Sequence, residues 1–257
     1  MGKLPPPPVP ANRKNLAPPP APGFIGWPHM TTLLLWDIDG TLTLSGGAGM
    51  HALQCALAKE FGVDRSLADI DYAGRTDSYI VRQILGKIAV PDTEFNINRL
   101  LEAYLIELPV ALRNPGTRVL PGVAAALQLL AARSDCALAL LTGNVERGAR
   151  IKLGHHGLSH YFRFGAFADD SPSRNDLGPV ALRRARELLG VEFAPDRVFV
   201  IGDTPHDIAC GKVIGARTVA VATGQYSLAQ LQAHAPFHAL SDLSDTATFL
   251  RTLALLD

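Results

Sequence analysis

The sequence LLLWDIDGT at residues 33–41 joins an apolar run to two closely spaced aspartates. Four consecutive apolar residues at 33–36 predict a strand that is buried on both faces, as in a parallel sheet covered by helices. Asp37 and Asp39 follow at the end of this strand. Because side chains alternate along an extended backbone, residues two apart point to the same side. We therefore expect both carboxylates to share one small volume at the carboxyl end of the strand.

Three further apolar runs resemble the first and lie at residues 137–141, 198–201 and 218–221. Segments with helical periodicity separate them, which predicts an α/β fold with a Rossmann-like parallel sheet flanked by helices. Two of these runs lead into polar turns, Thr142-Gly143-Asn144 and Gly202-Asp203-Thr204. Because ligands bind beyond the carboxyl ends of parallel strands, we expect both turns to converge on one site with the two aspartates.

The amino-acid composition excludes some classes of protein. Hydrophobic residues make up 47% of the 257 residues and charged residues 19%, which excludes disorder of the whole chain. Lys plus Arg and Asp plus Glu both number 24, so the net charge gives no argument for a nucleic acid or an anionic membrane as partner. The three cysteines show no metal-binding or disulfide spacing, and no apolar run approaches 18 residues, so we predict a cytoplasmic protein.

Prolines, glycines and helical patterns divide the chain into three predicted regions. Residues 1–30 carry ten of the 19 prolines and are predicted to form a disordered tail. Residues 45–118 contain helical patterns at 50–61, 78–88 and 93–112, with a break expected near Pro109 and no convincing strand. This insertion is predicted to be a helical cap, joined through a glycine-rich hinge at residues 45–49 to a core of residues 31–44 and 119–257.

The aspartates admit more than one interpretation. Asp37 and Asp39, held close together, raise each other's pKa unless they share a cation or a proton, so they indicate a divalent metal site, an acid/base pair, or both. Asp203 and Asp207 add two carboxylates at a second strand end, and such a set of oxygen ligands suits Mg²⁺. The structural alternatives are a hairpin turn for the first pair and helix caps for the second. Likewise, Thr142 and the two amides that follow it can hold anionic oxygens or cap a helix.

Three motifs together resemble the haloacid dehalogenase-like (HAD) hydrolase superfamily. Asp37-Ile38-Asp39-Gly40-Thr41-Leu42 resembles motif I, Leu141-Thr142-Gly143-Asn144 is similar to motif II, and the segment from Gly202-Asp203 to Asp207 is similar to motif IV. The order and spacing match over residues 31–250. A helical cap between motifs I and II is similar to the subgroup of phosphoglycolate phosphatases and β-phosphoglucomutases.

The resemblance implies a reaction and a role for each residue. Asp37 would attack phosphorus and form an aspartyl-phosphate, which water then hydrolyses. Asp39 would protonate the leaving alkoxide and later deprotonate the water, and Thr142 would bind the phosphoryl oxygens. The implied ligands of Mg²⁺ are Asp37, the main-chain carbonyl of Asp39 and Asp203, with support from Asp207.

Motif III departs from the family pattern, which has a lysine before the helix that precedes motif IV. No lysine occurs between Lys152 and Lys212, and the matching segment at residues 170–176 contains Arg174. Arginine can neutralise phosphate and keeps its charge, so we assign this role to Arg174. The alternative is that Arg174 is a solvated loop residue and that the site is reached by another cation, namely Arg183, Arg184 or Lys152.

Gly74-Arg75-Thr76-Asp77 resembles the cap loop that lies over the site in this subgroup. Arg75 and Thr76 are therefore expected to contact the substrate, unless the loop only caps the next helix. Gly143 and Asn144 are expected to contact it through the amides that follow Thr142. The sequence thus predicts a Mg²⁺-dependent phosphatase for a small phosphorylated acid such as 2-phosphoglycolate. A sugar-phosphate mutase is one alternative. A non-catalytic phosphate-binding protein is another, because motif III is atypical.

Overall fold

The computed structural model describes residues 31–256, so the predicted tail at residues 1–30 lies outside the described residues. The strands are β1 (Thr32–Trp36), β2 (Thr43–Leu44), β3 (Arg118–Val119), β4 (Cys136–Leu141), β5 (Gly165–Ala166), β6 (Val198–Gly202), β7 (Arg217–Val221) and β8 (His238–Leu240). The helices are α1 (Ala48–Phe61), α2 (Asp77–Lys87), α3 (Glu94–Ala111), α4 (Val123–Ala131), α5 (Glu146–His155), α6 (Arg174–Leu189), α7 (Pro205–Val213), α8 (Leu228–Ala233) and α9 (Thr246–Thr252). None of these helices is both long enough and apolar enough to span a membrane.

Six of the strands form one parallel sheet in the order β5-β4-β1-β6-β7-β8. All five residues of β1 are buried, as its apolar run predicted. β1 lies between β4 and β6, with Leu34 opposite Leu138 on one side and Phe199 on the other. The chain therefore passes from one side of β1 to the other after β5. In an open parallel sheet, the crevice at such a crossing point is where ligands bind.

Helices cover both faces of this sheet. Leu33 of β1 belongs to a buried cluster with Leu177 of α6. The next residue, Leu34, belongs to a different cluster with Leu127 of α4 and Phe249 of α9. This division follows from the alternation of side chains along a strand. The result is the predicted Rossmann-like sheet flanked by helices.

The insertion between β2 and β3 consists of α1, α2 and α3, which share a buried cluster that includes Leu57 and Ile84 and extends to Val145 and Ala168 outside the insertion. The three helices agree with the predicted patterns to within two residues at each end. The expected break near Pro109 is wrong, because a proline in the last turn removes only one backbone hydrogen bond and α3 continues to Ala111. β2 and β3 pair antiparallel at the two ends of the insertion.

The glycine-rich segment at residues 45–49 is only partly a loop. α1 begins at Ala48, so Gly46 and Gly47 are the glycines of this segment that precede the helix, and both have positive φ. A Cβ at Gly46 would also lie 2.9 Å from the backbone of Gly116. Both the backbone conformation and the close packing therefore require glycine at position 46.

Candidate active site

The ends of β1 and β6 bring three carboxylates together. Asp37 follows β1, Asp203 follows β6, and Asp207 lies in the first turn of α7. One ligand oxygen from each lies within 4.8 Å of the other two, and all three residues are buried. We call this group the acidic triad. Oxygen ligands at this spacing fit a hard divalent cation.

Asp203 is the member of the acidic triad that lacks a positively charged partner. The Thr41 hydroxyl donates to its Oδ1 at 3.2 Å, but no cationic side chain within residues 31–256 forms an ion pair with it. Burial and the charges of Asp207 and Asp37 raise the pKa of Asp203 well above its usual value. The backbone also approaches closely, because a Cβ at Gly224 would lie 1.7 Å from Asp203 Oδ2. A bound divalent cation would relieve the cost of this buried carboxylate.

Arg174, the first residue of α6, supplies positive charge to the other two carboxylates. Its Nη2 atom donates to Asp37 Oδ1 at 3.0 Å, to Asp207 Oδ1 at 2.5 Å and to the main-chain oxygen of Leu141 at 2.7 Å. Its Nε and Nη1 atoms are buried and have no hydrogen-bond partner in the described part of the chain. Because unpaired buried N–H groups are costly, this guanidinium is suited to receive an anionic oxygen.

The two arginines considered as alternatives to Arg174 lie elsewhere. Arg183 forms an exposed ion pair with Glu187, and Arg184 binds Asp170. Of these three arginines, Arg174 is therefore the one that contacts the acidic triad. Even with this guanidinium nearby, burial and the charge of Asp207 raise the pKa of Asp37 to about 7.

The carboxylate of Asp39 belongs to a second polar cluster, outside the acidic triad. Its Oδ2 accepts hydrogen bonds from Lys152 Nζ at 2.5 Å and from Asn144 Nδ2 at 2.8 Å. Lys152 Nζ also donates to Asn144 Oδ1 at 2.5 Å. The two donors therefore hold the Asp39 carboxylate outside the acidic triad. A metal contact would have to come from its main-chain carbonyl, as the resemblance implies.

Lys152 is the residue of this site that sequence reasoning did not assign. We considered it only as a replacement for the lysine of motif III, whereas the structure places it against Asp39. Burial opposes its charge, but Asp39 and Tyr104 outweigh this effect and raise the pKa of Lys152 above its usual value. On α5, Lys152 lies among the buried residues Ala149 and Leu153. A lysine within the apolar stripe of a helix was the available sequence signal.

Close packing shapes the turn after β4. Thr142 is fully buried, and its Oγ1 accepts hydrogen bonds from the main-chain nitrogen of Asn144 at 3.3 Å and from its Nδ2 at 2.9 Å. α5 begins only at Glu146, so the alternative that Thr142 caps this helix is wrong. A Cβ at Gly143 would lie 2.1 Å from the main-chain oxygen of Arg75, and only glycine fits there. The Thr142 hydroxyl thus orients the Asn144 side chain.

Thr76 and Arg75, in the loop before α2, both bind other groups of the protein. Thr76 caps α2, since its Oγ1 accepts a hydrogen bond from the Tyr79 amide at 3.2 Å, and it donates to the main-chain oxygen of Pro172 at 2.7 Å. Thr76 does not line the cavity that contains Asp37, Asp39 and Asp203, so the structure favours the helix-cap alternative over the expected substrate contact. Arg75 does line this cavity, but its guanidinium pairs with Asp71 at 2.7 Å.

A cavity of about 440 Å³ lies between the strand ends and the helical insertion. Its charged lining includes Asp37, Asp39, Asp203, Lys152 and Arg174. Its less polar lining comes from the insertion and includes Met50, Leu53, Ile80 and Tyr104. A cavity of this volume with a few convergent polar groups fits a small metabolite.

The sequence and the fold of this chain are similar to those of known proteins. A family model of haloacid dehalogenase-like hydrolases matches residues 31–215. The phosphoglycolate phosphatase of Rhodospirillum rubrum is 30% identical over an alignment of 237 residues, and the match covers 86% of this chain and 92% of the relative. The phosphoglycolate phosphatase of Aquifex aeolicus is 27% identical over 83% of this chain and 93% of its own. The crystal structure of CbbY from Rhodobacter sphaeroides in complex with phosphate has a TM-score of 0.67 and 19% identity, covering 84% of this chain and 96% of its own. Since the family model covers most of the described chain, the protein belongs to the haloacid dehalogenase-like hydrolases and is a phosphatase of that family.

Proposed function

We propose that this phosphatase is Mg²⁺-dependent and hydrolyses a small phosphorylated acid of the 2-phosphoglycolate type through an aspartyl-phosphate. The proposal rests mainly on the contacts of Arg174. This residue donates to Asp37 Oδ1, while its Nε and Nη1 are buried and have no acceptor within the described residues. A phosphoryl group placed against Asp37 would supply the missing acceptor oxygens. The substrate class is supported by the 30% identity to the phosphoglycolate phosphatase of Rhodospirillum rubrum.

Asp37 is the proposed nucleophile. One of its carboxylate oxygens forms a bond to phosphorus while the bond to the leaving oxygen breaks. Arg174 holds Oδ1 of Asp37 in place, and its remaining N–H groups stabilise the oxygens of the transferring phosphoryl group. Asp39 gives a proton to the leaving oxygen. It then takes a proton from the water molecule that attacks phosphorus and releases Asp37.

A divalent cation accounts for the charge balance of the acidic triad. Bound Mg²⁺ would neutralise the carboxylates and the phosphoryl charge, with Asp37, Asp203 and the main-chain carbonyl of Asp39 as ligands. Asp207 is proposed to support the site indirectly, because Arg174 binds its Oδ1 and the amide and hydroxyl of Thr204 bind its Oδ2. Since burial raises the pKa of Asp37 to about 7, positive charge beside it favours the reactive carboxylate form.

Residues 45–118 are proposed to act as a cap on the core of residues 31–44 and 119–257, with residues 45–49 as its hinge. Closure over the cavity would exclude water from the phosphorylated enzyme. Gly143 and Asn144, which line the cavity, are proposed to contact the substrate on the core side, and Arg75 on the cap side. The proposed partner is a small cytoplasmic metabolite, with neither nucleic acid nor membrane as a ligand.

Phosphate release from a panel of compounds tests this proposal. The panel contains 2-phosphoglycolate, several sugar phosphates and p-nitrophenyl phosphate, each assayed with Mg²⁺ and with a chelator. Asp37→Asn is the matched variant, because it keeps the shape of the side chain but removes the nucleophilic charge. We expect Mg²⁺-dependent release that this variant abolishes, with 2-phosphoglycolate among the best substrates.

Other results would contradict separate parts of the proposal. Isomerisation of a sugar phosphate without net phosphate release would establish a mutase. Phosphate binding without turnover of any compound would establish a phosphate-binding protein. Release that persists in the Asp37→Asn variant would exclude Asp37 as the nucleophile.

A further inference from the structure

Asp39 is held through only one of its two carboxylate oxygens. Both of its donors, Lys152 Nζ and Asn144 Nδ2, bind Oδ2. No donor from residues 31–256 binds Oδ1. The side chain is 38% exposed and lines the cavity. The oxygen that remains for a ligand or a water molecule is therefore Oδ1.

The donors of Asp39 also bind each other and so form a closed triangle. Lys152 Nζ donates to Asn144 Oδ1 at 2.5 Å, and Asn144 Nδ2 donates to Thr142 Oγ1 at 2.9 Å as well as to Asp39. Thr142 is fully buried at the end of β4. Such a network, tied to a buried strand end, fixes the plane of the carboxylate more strictly than one hydrogen bond can.

Stability does not account for a lysine at position 152. Its side chain is only 6% exposed, and a buried ion pair at best roughly repays the cost of removing its charges from water. An apolar residue between Ala149 and Leu153 would continue the buried stripe of α5 without that cost. The lysine therefore calls for a role outside folding.

We propose that Lys152 is a positioning residue for proton transfer by Asp39. Together with Asn144 it holds Oδ2, so that Oδ1 points at the leaving oxygen of the substrate. As the bond between phosphorus and the leaving oxygen breaks, the proton on Oδ1 passes to that oxygen and Asp39 is left as a carboxylate. This inference rests on the proposed phosphatase function and adds a residue to it.

The dependence of the rate on the leaving group tests the role of Lys152. An alkyl phosphate such as 2-phosphoglycolate needs a proton on its leaving alkoxide, whereas p-nitrophenyl phosphate leaves as a phenolate that is stable without one. The measured quantity is kcat/KM, because it reports the step that forms the phosphorylated enzyme. We expect Lys152→Met to lose about 100-fold on the alkyl phosphate and less than about tenfold on the aryl phosphate.

Two further variants keep the test decisive. Lys152→Gln retains a hydrogen-bond donor and should show the same preference for the aryl substrate to a smaller degree. Arg118→Met removes a different positive charge that lines the cavity and donates to Gly116, without contact to Asp39. This control should leave the ratio of the two kcat/KM values unchanged.

The possible outcomes separate this inference from the proposed function. Equal losses on both substrates in the folded Lys152 variants would overturn the positioning role, while the phosphatase activity of the wild type would stand. A changed ratio in Arg118→Met would show that the loss of any positive charge beside the cavity produces the effect. That result would also overturn the positioning role of Lys152. A wild-type protein that releases phosphate from neither compound would overturn the proposed function and this inference together.

Discussion

Replacing Arg174 with methionine is expected to destabilise the protein strongly, because two buried carboxylates lose their counter-charge. Nη2 of Arg174 lies 2.5 Å from Asp207 Oδ1 and 3.0 Å from Asp37 Oδ1. With an effective dielectric constant of about 20, Coulomb's law gives about 7 and about 6 kcal/mol for these two contacts. Two effects reduce this loss. The variant no longer has to remove a guanidinium from water on folding, which otherwise costs several kcal/mol. Asp37, whose pKa is raised to about 7, can also lose its charge by taking up a proton. The net loss of unfolding free energy should be about 3–5 kcal/mol, as for other broken buried ion pairs.

Urea unfolding of the full chain at about pH 8, without added Mg²⁺, measures this loss. Arg183→Met is the matched control, because it lies in the same helix, is exposed and pairs with Glu187 at a distance of 3.8 Å. The control should lose less than about 1 kcal/mol. The loss for Arg174→Met should shrink toward about pH 6, since protonation of Asp37 replaces the missing charge. A loss no larger than that of the control would refute the dependence of the buried carboxylates on Arg174.

Three other changes give predictions from the same contacts. Gly224→Ala would place a methyl group 1.7 Å from Asp203 Oδ2. In a metal titration, the Mg²⁺ concentration for half-maximal activity should therefore rise about 10- to 100-fold. Gly86→Ala, where a Cβ has open space, is the control and should leave this concentration unchanged. Thr76→Ala removes the N-cap of α2 and should lower the unfolding free energy by about 1 kcal/mol, and an unchanged value would contradict the capping role. Burial raises the pKa of Asp77 from 3.8 to about 6, so the folded state binds this proton more tightly than the unfolded chain and stability falls as pH rises from about 4 to about 6. Asp77→Asn should flatten that slope in urea unfolding, and a slope equal to that of the wild type would argue against the buried charge.

The sheet and the helices could be predicted because their patterns are local. Residues 33–36 are apolar without interruption because β1 lies in the middle of a sheet that is covered on both faces. The strand ends carry the polar turns, so the convergence of Asp37 and Asp203 follows from the topology of parallel strands. Pro109 shows where this reasoning fails, because the effect of a proline depends on how many turns of helix follow it.

The partners of the charged side chains could not be predicted from spacing. Lys152 and Asp39 are 113 residues apart, and their contact depends on how α5 packs after β4. Thr76 is similar, because the hydrogen bond that it donates to Pro172 joins the insertion to a loop 96 residues further along the chain. A single sequence gives residue types and local periodicity, whereas these contacts depend on the relative placement of whole elements.

The presence of arginine instead of the family's lysine can be explained by the number of acceptors around it. Three acceptors, on Asp37, Asp207 and Leu141, surround Nη2 of Arg174. The ammonium group of a lysine has three N–H bonds, and the same three acceptors would use all of them. In arginine, the two N–H bonds of Nη2 are shared among these three acceptors. Three further N–H bonds, on Nε and Nη1, have no acceptor within residues 31–256. The departure from the family pattern therefore adds N–H bonds beyond those that the three protein acceptors use, and the planar guanidinium fixes the directions in which these bonds point.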